Sequence, residues 1–191
     1  MTIDPASDPA VHAIRNAVPA DAAALSQLKL ATFREAFLED FAIPYPPADL
    51  ARFEAETYGL KRVQAELADP DHRTWVIDGG GADLIGYAHV GPCKLPNDQV
   101  RPGDWELYQL YLRREVQGGG LGKRLLGHVL GWLADRGSPV WLGVWSGNIR
   151  AQALYKRWGF VVVGEHRFHV GNWVDEELTM RLDAVPFSGG G

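Results

Sequence analysis

Between Trp105 and Phe160 the chain switches between two hydrophobic periods. Trp105 to Leu112 and Val140 to Trp145 are nearly continuous apolar runs of strand length. Between them Leu121, Leu125, Val129 and Trp132 recur at helical spacing, with Leu126, Leu130 and Leu133 beside them. This order predicts a parallel strand pair joined by a crossover helix that ends at Arg136-Gly137, with ligand at the carboxyl ends of the strands. The second strand reads as buried on both faces.

Upstream, Ala13 to Val18 suits a short first strand, and Asp21 reads as the N-cap of a helix. Leu25, Leu28, Ala31, Phe33 and Phe37 carry that helix to about Glu39. Pro44, Pro46 and Pro47 break the chain, after which Asp49 to Tyr58 and Lys61 to Leu67 form short helices separated by Gly59. Arg73 to Asp78 and Asp83 to Val90 read as a hairpin over Gly79-Gly80-Gly81, and the proline-containing stretch Gly91 to Gly103 as a loop. Asn148 caps a helix that Gly159 stops. Phe160 to His169 and Trp173 to Leu182 make a last hairpin over Gly171-Asn172.

With 191 residues, 46% of them hydrophobic, the chain suits one domain over 1–191, with flexible ends at 1–11 and 184–191. A single cysteine, Cys93, forbids an intrachain disulfide, and no cysteine and histidine spacing suits zinc. No base stands beside Cys93 in sequence, so it reads as structural. His166 and His169 lie three apart on a strand and face opposite sides, which removes them as a metal pair; no metal is expected. Met1 to Ala10 lacks a basic and apolar leader, and no apolar run has membrane-spanning length, so a cytoplasmic protein without a membrane partner is expected. The net charge of −5 argues against a nucleic-acid partner and is compatible with a cationic substrate.

The chemistry begins at Gln117-Gly118-Gly119-Gly120-Leu121-Gly122-Lys123-Arg124, where a glycine turn runs into the crossover helix. Glycines free of Cβ interference, a helix N-terminus and adjacent cations make a diphosphate cradle. A magnesium-nucleotide loop would need Ser or Thr at Arg124, and a dinucleotide fingerprint starting at Gly118 would need glycine at Lys123. What remains, Gln-x-x-Gly-x-Gly, resembles the GNAT superfamily of acetyl-CoA-dependent N-acetyltransferases. Asn148-x-x-Ala151-x-x-x-Tyr155-x-x-x-Gly159-Phe160 resembles the same superfamily.

That resemblance implies an α/β fold of the α+β kind: a mixed, mostly antiparallel twisted sheet with helices on both faces and a splayed parallel pair holding coenzyme A. It implies that Gln117 to Lys123 hold the pyrophosphate, that the backbone of Leu110, Tyr111 and Leu112 runs beside the pantetheine arm, and that Asn148 and Ala151 contact the cofactor. Tyr155 would face the thioester sulfur as donor to the leaving thiolate. Glu106, eleven residues before Gln117, has the spacing of a general base in several members; the alternative is a strand-edge carboxylate facing solvent. A strand NH near Leu110 to Leu112 would meet the oxyanion. The reaction implied is direct attack by a primary amine in a ternary complex.

Within the superfamily, Thr32 to Phe37, Trp141 to Trp145 and Val163 to His166 resemble the bacterial polyamine N-acetyltransferases, which act on spermidine and spermine. The acidic set Glu35, Glu39 and Asp40 with Phe37, and Glu177 in Asp175-Glu176-Glu177, then become candidate walls for a small polyamine. Acetylation of a protein N-terminus or an antibiotic amine, and a non-catalytic acetyl-CoA-binding module, are the alternatives. A monomer or homodimer fits either case.

Overall fold

The computed structural model describes residues 12–81, 83–136 and 139–184. The expected flexible ends lie outside it apart from Ala184, as does the Gly137 stop. In chain order the elements are β1 (Ile14–Asn16), α1 (Ala22–Phe33), α2 (Pro47–Tyr58), α3 (Leu60–Ala68), β2 (Arg73–Gly80) and β3 (Asp83–Pro92). There follow β4 (Trp105–Leu112), α4 (Leu121–Ala134), β5 (Val140–Trp145), α5 (Ile149–Arg157), β6 (Val161–Val170) and β7 (Trp173–Leu182). The strands form one sheet in the order β1-β2-β3-β4-β5-β7-β6. Every pairing is antiparallel except β4 with β5, the pair joined by α4.

Strand alternation gives this sheet two unlike faces. On one, Leu107, Val140, Leu142, Val144 and Met180 pack with Leu125, Leu126, Val129 and Leu130 of α4 and with Tyr155 of α5 in a single cluster. Each fully buried aliphatic side chain there contributes about 1.5–3 kcal/mol, so this layer supplies much of the stability. On the other face, registered partners bring up His89, Glu106, Gly143, Glu177, Thr179 and His166. Helices α1 and α3 cover its β2–β3 part through Leu25, Leu28, Val63, Val76 and Tyr87.

Two local expectations are corrected and one is refined. The first helix is α-helical only to Phe33, and Arg34–Asp40 is a π-helix, closed by the Phe41 amide on the Ala36 carbonyl at 2.9 Å. The wider turn brings Phe37 to 5.0 Å from Phe33 and Phe41 to 4.5 Å from Trp145, and ring burial there offsets the poorer helical geometry. Asp21 is the N-cap residue of α1, as expected, but its side chain makes no cap: the carboxylate accepts from the Val18 amide at 2.7 Å and pairs with Arg15 at 2.7 Å. Gly91 and Pro92 belong to β3 rather than to the loop.

Strands β4 and β5 are paired only at Trp105↔Val140 and Glu106↔Trp141. Beyond Glu106 they part. Against β3, Tyr108 is the extra residue between the Val90↔Leu107 and His89↔Gln109 pairs, a bulge that bends β4 where the parting begins.

Candidate active site

At the carboxyl end of β4 the glycine turn has the conformation a cradle requires. Gly118 and Gly120 have φ of 91° and 84°, a left-handed region that costs other residues about 1–2 kcal/mol. A Cβ at Gly118, Gly119 or Gly120 would meet no atom within 4 Å, so these glycines leave open a path to the backbone. Gly120 is the N-cap of α4 and makes no side-chain cap, so the first-turn amides of Leu121, Gly122 and Lys123 have no partner within the helix. Gln117 holds the turn in place. Its Nε2 donates to the Leu112 carbonyl at 3.0 Å, and its Oε1 accepts from Arg150 at 2.9 Å. Lys123 is exposed beside the turn. An anionic diphosphate fits this combination of open amides, dipole and charge.

The Arg113 amide donates to the Ile85 carbonyl of β3 at 2.9 Å. Because backbone groups alternate along a strand, those of Leu112 and Leu110 face the gap between β4 and β5, whereas those of Tyr111 face β3. The Tyr111 ring stacks on Tyr87 at 5.9 Å instead. Asn148 caps α5, its Oδ1 accepting from the Ala151 amide at 3.0 Å.

A cavity of about 540 Å³ runs through this gap. Glu106, Tyr108 and Gln109 of β4, Gly143 of β5, the N-cap Asn148, and Ala151 and Tyr155 of α5 all open onto it. Glu106 is only 7% exposed, which removes the alternative of a solvent-facing carboxylate. Burial raises its pKa, against the pull of the Lys94 amide, which donates to Oε2 at 2.8 Å. Cys93 stands beside it, and burial, with the neighbouring carboxylates, pushes its thiol up to about 12. A thiol so disposed is not a thiolate nucleophile at neutral pH. Tyr155 is buried with its ring edge-on to Phe160 at 5.8 Å, and burial raises its pKa, so the hydroxyl stays a donor across the physiological range.

The acidic residues of the first helix end are gathered elsewhere. Glu35 accepts from the Arg114 amide at 3.0 Å, Glu39 meets the Arg114 guanidinium at 3.0 Å and Asp40 at 2.8 Å. None of the three lines the cavity, whereas Phe37 does. The cavity's own carboxylates are Glu66, Glu106, Asp175 and Glu177. Glu66 is taken by buried Lys29 at 2.5 Å and by Arg62 at 3.0 Å. Asp175 accepts from the Tyr45 hydroxyl at 2.6 Å and from Trp173 Nε1 at 2.9 Å. Phe33, Tyr45, Phe53, Tyr58 and Phe168 form an aromatic chamber on this side.

Histidines also border the cavity: His72 and His89, which the motif reading passed over, and His166 and His169, which it weighed only as a metal pair or as part of the family resemblance. His89, buried between Thr74 Oγ1 at 2.8 Å and His72 at 3.1 Å, has its pKa lowered by burial and nearby cations, as does His72 by burial. His166 is engaged by Glu177 and Thr179. The alternation Asp175, Glu177, Thr179 along β7 was the visible signal, since a period of two puts all three on one face. His166 and His169 hold no metal cluster, and no group of three or more candidate ligands occurs among the described residues.

Residues 30–160 match the description "Acetyltransferase (GNAT) family". The chain is 32% identical over 141 residues to N-alpha-acetyltransferase RimI from Mycobacterium tuberculosis, covering 74% of this chain and 77% of that protein. It is 32% identical over 98 residues to spermine/spermidine N(1)-acetyltransferase from Bacillus subtilis, covering 50% of this chain and 64% of that protein. The fold is similar to that of the PaiA N-acetyltransferase of Thermoplasma acidophilum solved with coenzyme A, at a TM-score of 0.67 and 18% identity, covering 88% and 97% of the two chains. With the parted parallel pair, the glycine cradle and the match over residues 30–160 together, the chain belongs to the GNAT family of N-acetyltransferases.

Proposed function

We propose that this acetyltransferase moves the acetyl group of acetyl-CoA to a primary amine of a small polyamine such as spermidine or spermine, by direct attack in a ternary complex. The observation that carries the reading is that Glu106 and Tyr155, from opposite layers of the sheet, open onto one cavity where β4 and β5 part.

Gln117 to Lys123 would hold the pyrophosphate, the gap-facing backbone of Leu110 and Leu112 the pantetheine arm, and Asn148 and Ala151 its neighbouring surface. Acetyl-CoA supplies an acyl group activated as a thioester. An alkylammonium has a pKa of about 10.4, so a proton must leave before the nitrogen can attack. Glu106 takes that proton, and its raised pKa narrows the gap to the ammonium. Tyr155, fully protonated at neutral pH, donates toward the departing sulfur. Cys93, with its thiol pushed up to about 12, offers no acyl-carrying step, which fits direct transfer.

The acceptor class is read from the wall. Aromatic faces attract alkylammonium groups, and Asp175, Glu177 and Glu106 spread negative charge along the cavity. Gln109 Oε1, buried without a partner among the described residues, adds an acceptor that an ammonium can satisfy. The carboxylates around Arg114 drop out of this set. The similarity to a spermine/spermidine acetyltransferase points the same way, while the N-alpha-acetyltransferase relative makes a peptide N-terminus the competing acceptor.

Release of free thiol from acetyl-CoA, measured with spermidine, a monoamine of similar length and a short peptide, decides between them. A kcat/KM for spermidine at least about tenfold above the other two is expected, since one charge-assisted contact is worth about 1.5–3 kcal/mol. KM should also rise with salt. A ratio near unity refutes the polyamine reading.

A further inference from the structure

Glu177 and His166 face each other directly across the β6–β7 ladder, on the sheet face that carries Glu106. His166 Nε2 lies 3.2 Å from Glu177 Oε2, and Nδ1 lies 2.9 Å from Thr179 Oγ1. With a carboxylate on one side, Nε2 carries the hydrogen and donates, and the Thr179 hydroxyl, itself 1% exposed, meets the second nitrogen. Both ring nitrogens are therefore engaged, so the ring is fixed and is not itself free to take a proton from a substrate.

Gly143 of β5 makes room for this arrangement. A Cβ there would lie 2.5 Å from Glu177 Oε2 and 3.0 Å from His166 Cε1. Gly143 is extended and has no positive φ, so the glycine answers to close approach rather than to backbone conformation. Gly143 is two residues on from Trp141, the in-register neighbour of Glu106. One polar strip thus crosses from β4 through Gly143 to β7 and β6.

We propose that Glu177 is the anchor for a second ammonium of the acceptor, and that His166 is a positioning residue that holds its carboxylate over Gly143. The inference rests on the polyamine reading and deepens it by assigning the residue that tells a diamine from a monoamine. Glu106 serves the nitrogen that reacts, and Glu177 serves one that does not. Asp175, whose two oxygens are already held by Tyr45 and Trp173, is the poorer candidate for the anchor.

The test compares kcat/KM for spermidine and for a monoamine in the wild type and in Glu177→Gln, His166→Phe, His166→Gln and Gly143→Ala. Calorimetric acetyl-CoA affinity in each variant shows that the fold and donor site survive. In Glu177→Gln the preference for spermidine should fall about tenfold to hundredfold, through KM more than through kcat. His166→Phe, which fills the space without donating, should lose a comparable part, and His166→Gln, which can still donate, should recover most of it. Gly143→Ala should shift the carboxylate and lose preference too. A wild type that prefers spermidine while Glu177→Gln keeps that preference overturns the anchor and leaves the polyamine reading standing. A wild type with no preference overturns both. Equal losses in His166→Phe and His166→Gln remove His166 from its positioning role.

Discussion

Replacing Glu106 by Gln separates catalysis from stability, because the two effects have opposite signs. The carboxylate is 7% exposed, and its raised pKa comes first from burial. The folded chain therefore holds a proton at pH values where the unfolded chain, with an ordinary carboxylate near 4.5, has released it. Stability is fullest below that ordinary value and falls as pH rises through the raised one. Above the raised pKa the ionised Glu106 is a cost to the fold. Gln removes the charge and keeps an oxygen for the Lys94 amide, now 2.8 Å from Oε2. Thermal unfolding above that pKa should then shift upward; a gain of about 1 kcal/mol corresponds to about 2–4 °C for a chain of this size. Turnover should fall about hundredfold to ten-thousandfold, or about 2.7–5.4 kcal/mol in the barrier, as expected for a lost general base. In the wild type kcat/KM should decline as pH drops through the raised Glu106 pKa, and the variant should lack that acidic limb. Thiol release across pH, with melting curves alongside, measures all three. Unchanged kcat/KM where chemistry limits the rate, or lost activity with a lower melting temperature, would refute the assignment.

Tyr155→Phe keeps the edge contact with Phe160 and removes the donor, so acetyl-CoA affinity should hold while kcat falls about tenfold to a thousandfold in single-turnover measurements. Gly120→Ala places a side chain at φ 84°, which should cost about 1–2 kcal/mol in denaturant unfolding and weaken acetyl-CoA binding by calorimetry. Arg114→Ala removes the guanidinium contacts to Glu39, Asp40 and the Glu35 carbonyl while keeping the backbone amide that meets the Glu35 carboxylate, so amide hydrogen exchange should quicken in the π-helical Arg34–Asp40. Because Phe37 of that segment lines the cavity, the same variant should raise KM for the acceptor more than it lowers affinity for acetyl-CoA.

The elements near the cradle were legible because each is specified locally. A helical repeat of leucines, an apolar strand on either side and glycines in sequence fix α4, β4, β5 and the turn without help from distant contacts. The acceptor wall was not, since it depends on pairings far apart in the chain. Cys93 meets Glu106 because β3 and β4 pair antiparallel at Gly91↔Glu106, carrying the next residues of one strand past the start of the other. Arg114 captures three carboxylates more than seventy residues away, a contact that no motif at either end announces. The π-turn depends on rings from α2, β5 and the chain after Phe41, so helical spacing alone carried the α-helix too far.

The polar face of the sheet bears on the proposed role of Glu106 rather than of its neighbours. Burying polar groups against a sheet is tolerated only where each finds a strong partner, and most do. Thr74 with His89, Thr179 with His166, and Tyr45 with Asp175 are closed pairs between 2.6 and 2.9 Å. Asp104, buried two residues before Glu106, accepts at one oxygen from Trp141 Nε1 at 2.8 Å and from the Arg101 amide at 3.0 Å. Glu106 has one backbone amide and stands beside the Cys93 thiol, a weak donor. Its carboxylate thus has one strong donor, the Lys94 amide, and it sits where the last rung of the β4–β5 ladder gives way to open space. A group held short of donors in a gap between strands gains by meeting an ammonium, first as a partner and then as a source of the proton it lacks. The parting of β4 and β5 therefore opens one cavity bordered by Glu106 and Tyr155, in which the proposed acetyl donor and amine would meet.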